Sequence, residues 1–181
     1  MQTVLRHSSR AVRHIVFAGA AFAAVAAHPS AAVAQEVPVS SLSARDAARL
    51  IQRERGKVRL VLVYNAGCPA SRKMFPEFLD LAERSRQKNV SVLAFSTDAS
   101  PEITARYLAG ARLPFRPVQI RPWRSGEFDT AMRPTGIDIG KTFGTPLIAV
   151  IDRNGRVVGQ WEGSSGARRA VEWLNSVGVR P

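Results

Sequence analysis

An α/β sandwich around one mixed sheet is the fold this sequence predicts, and two stretches predict it. In the first, an apolar run over residues 58–64, a helix from Pro69 to about Lys88 and a second apolar run over residues 90–96 make a right-handed βαβ unit of parallel strands. In the second, Leu147–Ile151 and residues 157–161 flank Asn154-Gly155, a strong hairpin signal, and a helix over residues 167–177 follows. One stretch supplies parallel pairing and the other antiparallel pairing. A βαβ half and a ββα half therefore share a central mixed sheet flanked by helices. At 181 residues with 45% hydrophobic content, the chain is long enough for one domain with a real core.

The chain opens with Arg6, Arg10 and Arg13, then an apolar stretch over residues 15–27 that is short for a bilayer, then Ala32-Val33-Ala34, an A-x-A cleavage site. Residues 1–34 read as a secretory signal peptide, which predicts a soluble, exported, periplasmic protein; a retained N-terminal anchor is the alternative. Residues 35–57 are expected as an N-terminal extension: an extended leader to Ser41, then a helix to Gly56 with Ser43 as N-cap and Asp46 in its first turn. Residues 58–181 are taken as the domain proper. In the helix from Pro69, Met74, Phe78 and Leu81 repeat at i, i+4 and i+7, and Phe75, Leu79 and Ala82 do so one step on. That stripe must face a sheet, although Pro76 inside the helix removes one backbone hydrogen bond. Ser96-Thr97-Asp98 ends the second strand, which is apolar enough to be buried on both faces. Pro101 opens a helix to about Ala109, and residues 113–120 lead back to the sheet.

Residues 121–142 exceed what a plain connection needs. A short helix is expected over Glu127–Met132, and the run into Gly144-Thr145-Pro146 predicts a place near the active face. Residues 136–142 look like a P-loop, but three residues rather than four separate the glycines and no strand precedes them. Nucleotide binding is rejected on that ground.

Composition narrows the chemistry further. Removing residues 1–34 takes three of the 26 basic residues and none of the 14 acidic ones, so the net charge goes from +12 to +9. It also takes His7, His14 and His28, the only histidines. A mature chain without imidazole has no Ser-His-Asp triad, no Cys-His pair and no His-ligated metal. One cysteine excludes a thiolate-rich metal site and an intramolecular disulfide. No resident cofactor or metal is expected. The arginines are spread along the chain, no RNP or helix-turn-helix pattern is present, and export argues against nucleic acid. The positive charge fits a surface that meets anionic lipid or an acidic partner.

Cys68 is that single cysteine. It follows the strand end, with Gly67 before it and Pro69 after it, at a helix N-terminus where free N–H groups and the helix dipole favour thiolate. Arg72 and Lys73 add positive charge nearby. A pKa below the free value of ~8.5 is expected; the bland alternative is a small buried hydrophobe. Gly144-Thr145-Pro146 before the strand Leu147–Ile151 is the second candidate.

Tyr64 followed by Cys68-Pro69-Ala70-Ser71-Arg72-Lys73-Met74-Phe75-Pro76-Glu77 resembles the thioredoxin-like fold, in particular its TlpA-type thiol-disulfide branch, whose pattern is an aromatic and then C-P-x-C-R-K-x-x-P-E. The resemblance covers roughly residues 58–177. It departs at Ser71, where the family has its second cysteine, and at Gly67, where a tryptophan is usual. The resemblance implies that Thr145–Pro146 is cis, faces Cys68 and exposes Thr145 backbone groups to an extended peptide. Cys68 and Ser71 are then the expected catalytic pair, and Gly67, Pro69, Thr145 and Pro146 the expected substrate-binding residues.

A serine cannot close the internal disulfide that releases product in a dithiol enzyme. It can hydrogen-bond the Cys68 sulfur. The expected activity is therefore that of an exported monothiol reductase or isomerase. It would act on a protein thiol or disulfide through mixed disulfides at Cys68, with an external low-molecular-weight or protein thiol resolving them. The alternative is a redox-degenerate thioredoxin-fold binding module, holding a partner polypeptide without turnover. A sulfenic-acid sensor or peroxidase is a weaker third reading, since no threonine precedes Cys68 as in peroxiredoxins. A cluster-binding monothiol glutaredoxin is weaker still.

Overall fold

The computed structural model describes residues 37–124, 126–140 and 144–176. The signal-peptide reading of residues 1–34 lies outside them. Six strands and five helices follow in the order β1 (Ser40–Leu42), α1 (Ala44–Arg53), β2 (Arg59–Tyr64), α2 (Pro69–Gln87), β3 (Ser91–Ser96), α3 (Pro101–Leu108), β4 (Pro117–Ile120), α4 (Glu127–Met132), a single 3-10 turn (Arg133–Thr135), β5 (Leu147–Ile151), β6 (Val157–Glu162) and α5 (Gly166–Ser176). The sheet runs β1-β4-β3-β2-β5-β6. The first four strands in that order are parallel, and β5 and β6 are antiparallel to their neighbours. This is the mixed α/β sandwich expected from the sequence.

The period-2 alternation of β2 sorts the core into two layers. Leu60, Leu62 and Tyr64 cluster with Met74, Phe78 and Leu81 of α2 and Ala170 and Leu174 of α5. Val61 and Val63 cluster with Ala47 and Ile51 of α1 and Phe128 and Met132 of α4. Of the stripe expected in α2, Met74, Phe75, Phe78, Leu81 and Ala82 are buried against the sheet and Leu79 is half-buried. Among the described residues no helix is long and apolar enough to cross a membrane.

Four features differ from the reading of the sequence, each for a physical reason. Residues 37–57 belong to the same sheet and core as the rest. β1 pairs with β4 in the register Ser40↔Val118, and α1, with the Ser43 hydroxyl accepting the Asp46 N–H at 3.1 Å, fills one face. The strand was illegible because three residues carry no alternation. Secondly, β3 is half-buried over Ser91–Leu93 rather than buried throughout, because β4 starts only opposite Ala94. Thirdly, the apolar β2 begins with a buried arginine: Arg59 donates to the Ile51 carbonyl at 3.0 Å and the Asp152 carbonyl at 2.8 Å, tying α1 to the β5–β6 hairpin. Fourthly, the described part of residues 121–142 covers the sheet face shared with α1. Trp123 stacks on Phe128 with ring centroids 4.6 Å apart, and Ile137 and Ile139 are buried beside Ile51.

Candidate functional site

Sheet pairing brings the two candidate segments together. β2 and β5 pair antiparallel with Val63 opposite Leu147, so the end of β2 adjoins the start of β5. Cys68 lies just past the one and Thr145-Pro146 just before the other. The Cys68 thiol, half-buried, donates to the Thr145 carbonyl at 3.1 Å. The Thr145–Pro146 peptide is cis. Pro146 is buried, and its carbonyl accepts the Gly163 N–H at 2.8 Å, which fixes this loop to the end of β6.

Cys68 is the N-cap of α2 and Pro69 its first residue, where a missing N–H costs nothing. Ser71, fully buried, accepts the Asn65 N–H at 3.3 Å. Gly67 and Pro69 are exposed on either side of the thiol. Gly67 donates to the Asn65 side-chain oxygen at 2.9 Å. A Cβ at Gly67 would lie 3.1 Å from that oxygen, so a bulky residue here requires the Asn65 side chain to shift.

Burial is the largest single influence on the Cys68 thiol and pushes its pKa up. Hydrogen bonds from Thr145, from the Ser71 N–H and hydroxyl and from the Ala70 N–H together outweigh burial, leaving the pKa below the ordinary thiol value. The Thr145 contact has two sides. In the thiol form the S–H is spent on the Thr145 carbonyl, and the sulfur makes no capping bond to the helix. An acceptor of that kind favours the protonated state. The depression rests first on the Thr145 side chain and then on the Ser71 and Ala70 donors, which a thiolate can take up once its own proton is gone. The first turn of α2 holds no acidic residue, and Arg72 and Lys73 are exposed there. Arg72 sits 5.8 Å over the Tyr107 ring.

Beneath the thiol lies a network that the sequence reading passed over. Asn65 donates its side-chain amide to the Thr97 carbonyl at 3.2 Å, and the Cys68 N–H returns to the Asn65 carbonyl at 3.0 Å. The Ala66 N–H donates to Asp98 Oδ1 at 2.9 Å. Asp98, 3% exposed, takes the Ser96 hydroxyl at 2.6 Å on Oδ2, and Thr104 Oγ1 lies 2.8 Å from the same oxygen. Ser96-Thr97-Asp98 was the available signal: a polar triplet ending a strand parallel to β2 must lie beside the turn that ends β2. Tyr64, which closes β2, is fully buried against Phe75 and Tyr107. Burial first, then the Asp98 and Tyr107 charges, hold its phenol well above its usual pKa.

The structure thus gathers Cys68, Ser71, Thr145 and Pro146, with Gly67 and Pro69 flanking the sulfur. A groove of about 860 Å³ between α1 and α4 is lined by none of these six. Among the described residues, no three His, Cys, Asp or Glu side chains come together as a metal site.

No protein-family model matches the chain, and no curated protein matches it. Solved structures do. A thiol:disulfide interchange protein of the thioredoxin family from Chlorobium tepidum TLS superposes with a TM-score of 0.53 at 21% identity, covering 79% of this chain and 97% of its own. A thioredoxin-related protein from Neisseria meningitidis serogroup B does so with a TM-score of 0.54 at 15% identity, covering 71% of this chain and 90% of its own. With the sheet order and layering above, these likenesses make the fold thioredoxin-like. The activity is a matter for the site's own chemistry.

Proposed function

We propose that this chain is an exported, periplasmic monothiol protein of the TlpA-like kind, which carries out thiol-disulfide exchange on protein substrates through mixed disulfides at Cys68. One observation carries the reading: the half-buried Cys68 thiol at the N-terminus of α2, 3.1 Å from the Thr145 carbonyl, with its pKa lowered by the Thr145 side chain and by the Ser71 and Ala70 donors. The Cys68 thiolate attacks one sulfur of a substrate disulfide. The Cys68–substrate bond forms as the substrate's S–S bond breaks, and the departing sulfur takes a proton from water. A second thiol then attacks the mixed disulfide and expels Cys68 as thiolate. If that thiol belongs to the substrate, the result is isomerisation with no net electron transfer. If it is an external low-molecular-weight or protein thiol, it bonds to the substrate sulfur as Cys68 leaves, and a second external thiol displaces the substrate thiol; two electrons enter the substrate and the two external thiols end as one disulfide. Ser71 supports the thiolate but cannot close the cycle. Gly67, Pro69, Thr145 and Pro146 form the surround that meets the substrate chain.

The test is disulfide reduction and scrambled-disulfide rescue in the presence of glutathione. Cys68→Ala abolishes both; retained activity in that variant overturns the proposal. Ser71→Cys is expected to reduce disulfides without an external resolving thiol in the second step. A protein that captures its partner equally well as Cys68→Ala is instead a holder of polypeptides.

A further inference from the structure

We infer that Asp98 is a positioning residue for Cys68: its buried carboxylate clamps the turn 65–68 through the Ala66 N–H and so holds the sulfur over the first turn of α2. The inference rests on Cys68 being the reacting thiol of the proposed exchange. It starts from an accounting of that turn's donors. Gly67 N–H is taken by the Asn65 side chain and Cys68 N–H by the Asn65 carbonyl, both within the turn itself. Those bonds shape the turn but do not fix it to the domain. Three contacts do. Asn65 Nδ2 reaches the Thr97 carbonyl at 3.2 Å, the Asn65 N–H reaches the Ser71 hydroxyl at 3.3 Å, and the Ala66 N–H reaches Asp98 Oδ1 at 2.9 Å. The last is the shortest, and it is the one made to a carboxylate. Hydrogen bonds to a charged acceptor are roughly twice as strong as neutral ones.

Asp98 is itself held from every side. Its own N–H donates to the Ser96 hydroxyl oxygen at 3.0 Å, Oδ2 takes the Ser96 and Thr104 hydroxyls, and its carbonyl accepts Gln119 Nε2 at 2.9 Å. Gln119 in turn accepts the Ser41 hydroxyl at 2.6 Å. A continuous chain of hydrogen bonds therefore runs from the edge strand β1 through β4 and the end of β3 to the residue two before Cys68. Among the described residues, Oδ1 bonds the Ala66 N–H of the turn alone. Freed from it, Ala66 would let the sulfur swing off the axis of α2, away from the Ser71 and Ala70 donors that favour thiolate.

The readout is the rate of Cys68 alkylation by iodoacetamide against pH in the folded protein. It needs no disulfide substrate, so failure of the exchange reading and failure of this one are separable. Asp98→Asn keeps a carbonyl oxygen for the Ala66 N–H and an amide for the two hydroxyls; Asp98→Ala keeps neither. The Asn variant is expected within about twofold of the wild type. The Ala variant is expected to react on the order of 10-fold slower at pH 7, part of the ~100-fold that a 1 Å misplacement costs. Arg59→Met, which perturbs the far end of β2, is expected to leave the profile unchanged. Equal slowing in Asp98→Asn and Asp98→Ala overturns the clamp in favour of a charge effect, and no slowing in either overturns it outright. If Asp98→Ala does not fold, amide exchange in the wild type decides. The Ala66 N–H must be protected like those of β2, and exchange as fast as that of exposed loop amides defeats the inference.

Discussion

Replacing Ser71 by alanine tests the least familiar part of the site, because the proposed exchange gives Ser71 the place that a second sulfur takes in the C-P-x-C pattern its sequence resembles. The hydroxyl is fully buried and accepts the Asn65 N–H at 3.3 Å. Alanine leaves almost no void, so the cost is that of an abandoned donor, ~1–3 kcal/mol for a buried group. The bond is long and Asn65 is only half-buried, which puts the cost near the low end, about 1 kcal/mol. For a domain of this size that is a fall in Tm of roughly 3–5 °C. The same substitution removes one of the donors that hold the Cys68 pKa down, so that pKa rises. The sign carries into stability. A thiol whose folded pKa lies below its unfolded value stabilises the fold fully above the unfolded pKa of ~8.5, and that contribution is lost as pH falls through the folded pKa. The stability of the wild type measured against Cys68→Ala should therefore grow between about pH 6 and pH 9.5, and Ser71→Ala should shrink that growth. Thermal unfolding at both pH values and the midpoint of Cys68 alkylation check the two halves. An alkylation midpoint that stays put or moves down in Ser71→Ala refutes the role given to the hydroxyl.

Two further substitutions probe the frame. Arg59→Met removes a guanidinium that is 2% exposed and bonds the Ile51 and Asp152 carbonyls; relief of its desolvation offsets part of the loss, and a net destabilisation of about 2 kcal/mol, or roughly 6–10 °C in Tm, is expected by thermal unfolding. A variant as stable as the wild type would mean that the arginine is a tolerated charge rather than a tie. Gly159→Ala places a Cβ 2.8 Å from Trp161 Cζ2 and 3.0 Å from Cζ3, and closer still to Cη2, so the indole must leave its seat on β6. The expected cost is ~1–3 kcal/mol in urea unfolding, with a change in tryptophan fluorescence, and an unaltered spectrum would show that the ring does not rest there.

The fold was legible wherever hydrophobic period and turn chemistry agreed. The βαβ unit and the Asn154-Gly155 hairpin came from runs long enough to carry a period, and α4 was placed at Glu127–Met132 within an otherwise unreadable stretch. β1 was not legible, since a three-residue edge strand is created by the neighbour it pairs with and not by its own pattern. Arg59 was hidden for a related reason: a buried cation is tolerated only through carbonyls at Ile51 and Asp152, one of them 93 residues away in the chain. The site divides along the same line. Cys68 and Thr145 announce themselves by residue type and position. Asp98 looks like an ordinary strand-ending residue until the parallel register Tyr64↔Ser96 sets it under the Cys68 turn.

That division bears on whether Ser71 records decay or design. A position freed from selection for a second thiol, yet buried at 0% exposure, would be filled most cheaply by an apolar side chain, because a buried hydroxyl is a liability unless it is bonded. Ser71 is bonded: it accepts the Asn65 N–H from the turn before Cys68, and its hydroxyl lowers the Cys68 pKa. With Asp98 bonded to the Ala66 N–H and Thr145 facing the thiol, three separate segments converge on the Cys68 turn. An inert cysteine gains nothing from that convergence. A mixed-disulfide nucleophile does, since the sulfur must be released as a good leaving thiolate each time an external thiol resolves it. On this argument Ser71→Ala should slow resolution of a preformed Cys68 mixed disulfide by glutathione, and equal rates in the two proteins would return Ser71 to the role of a filler.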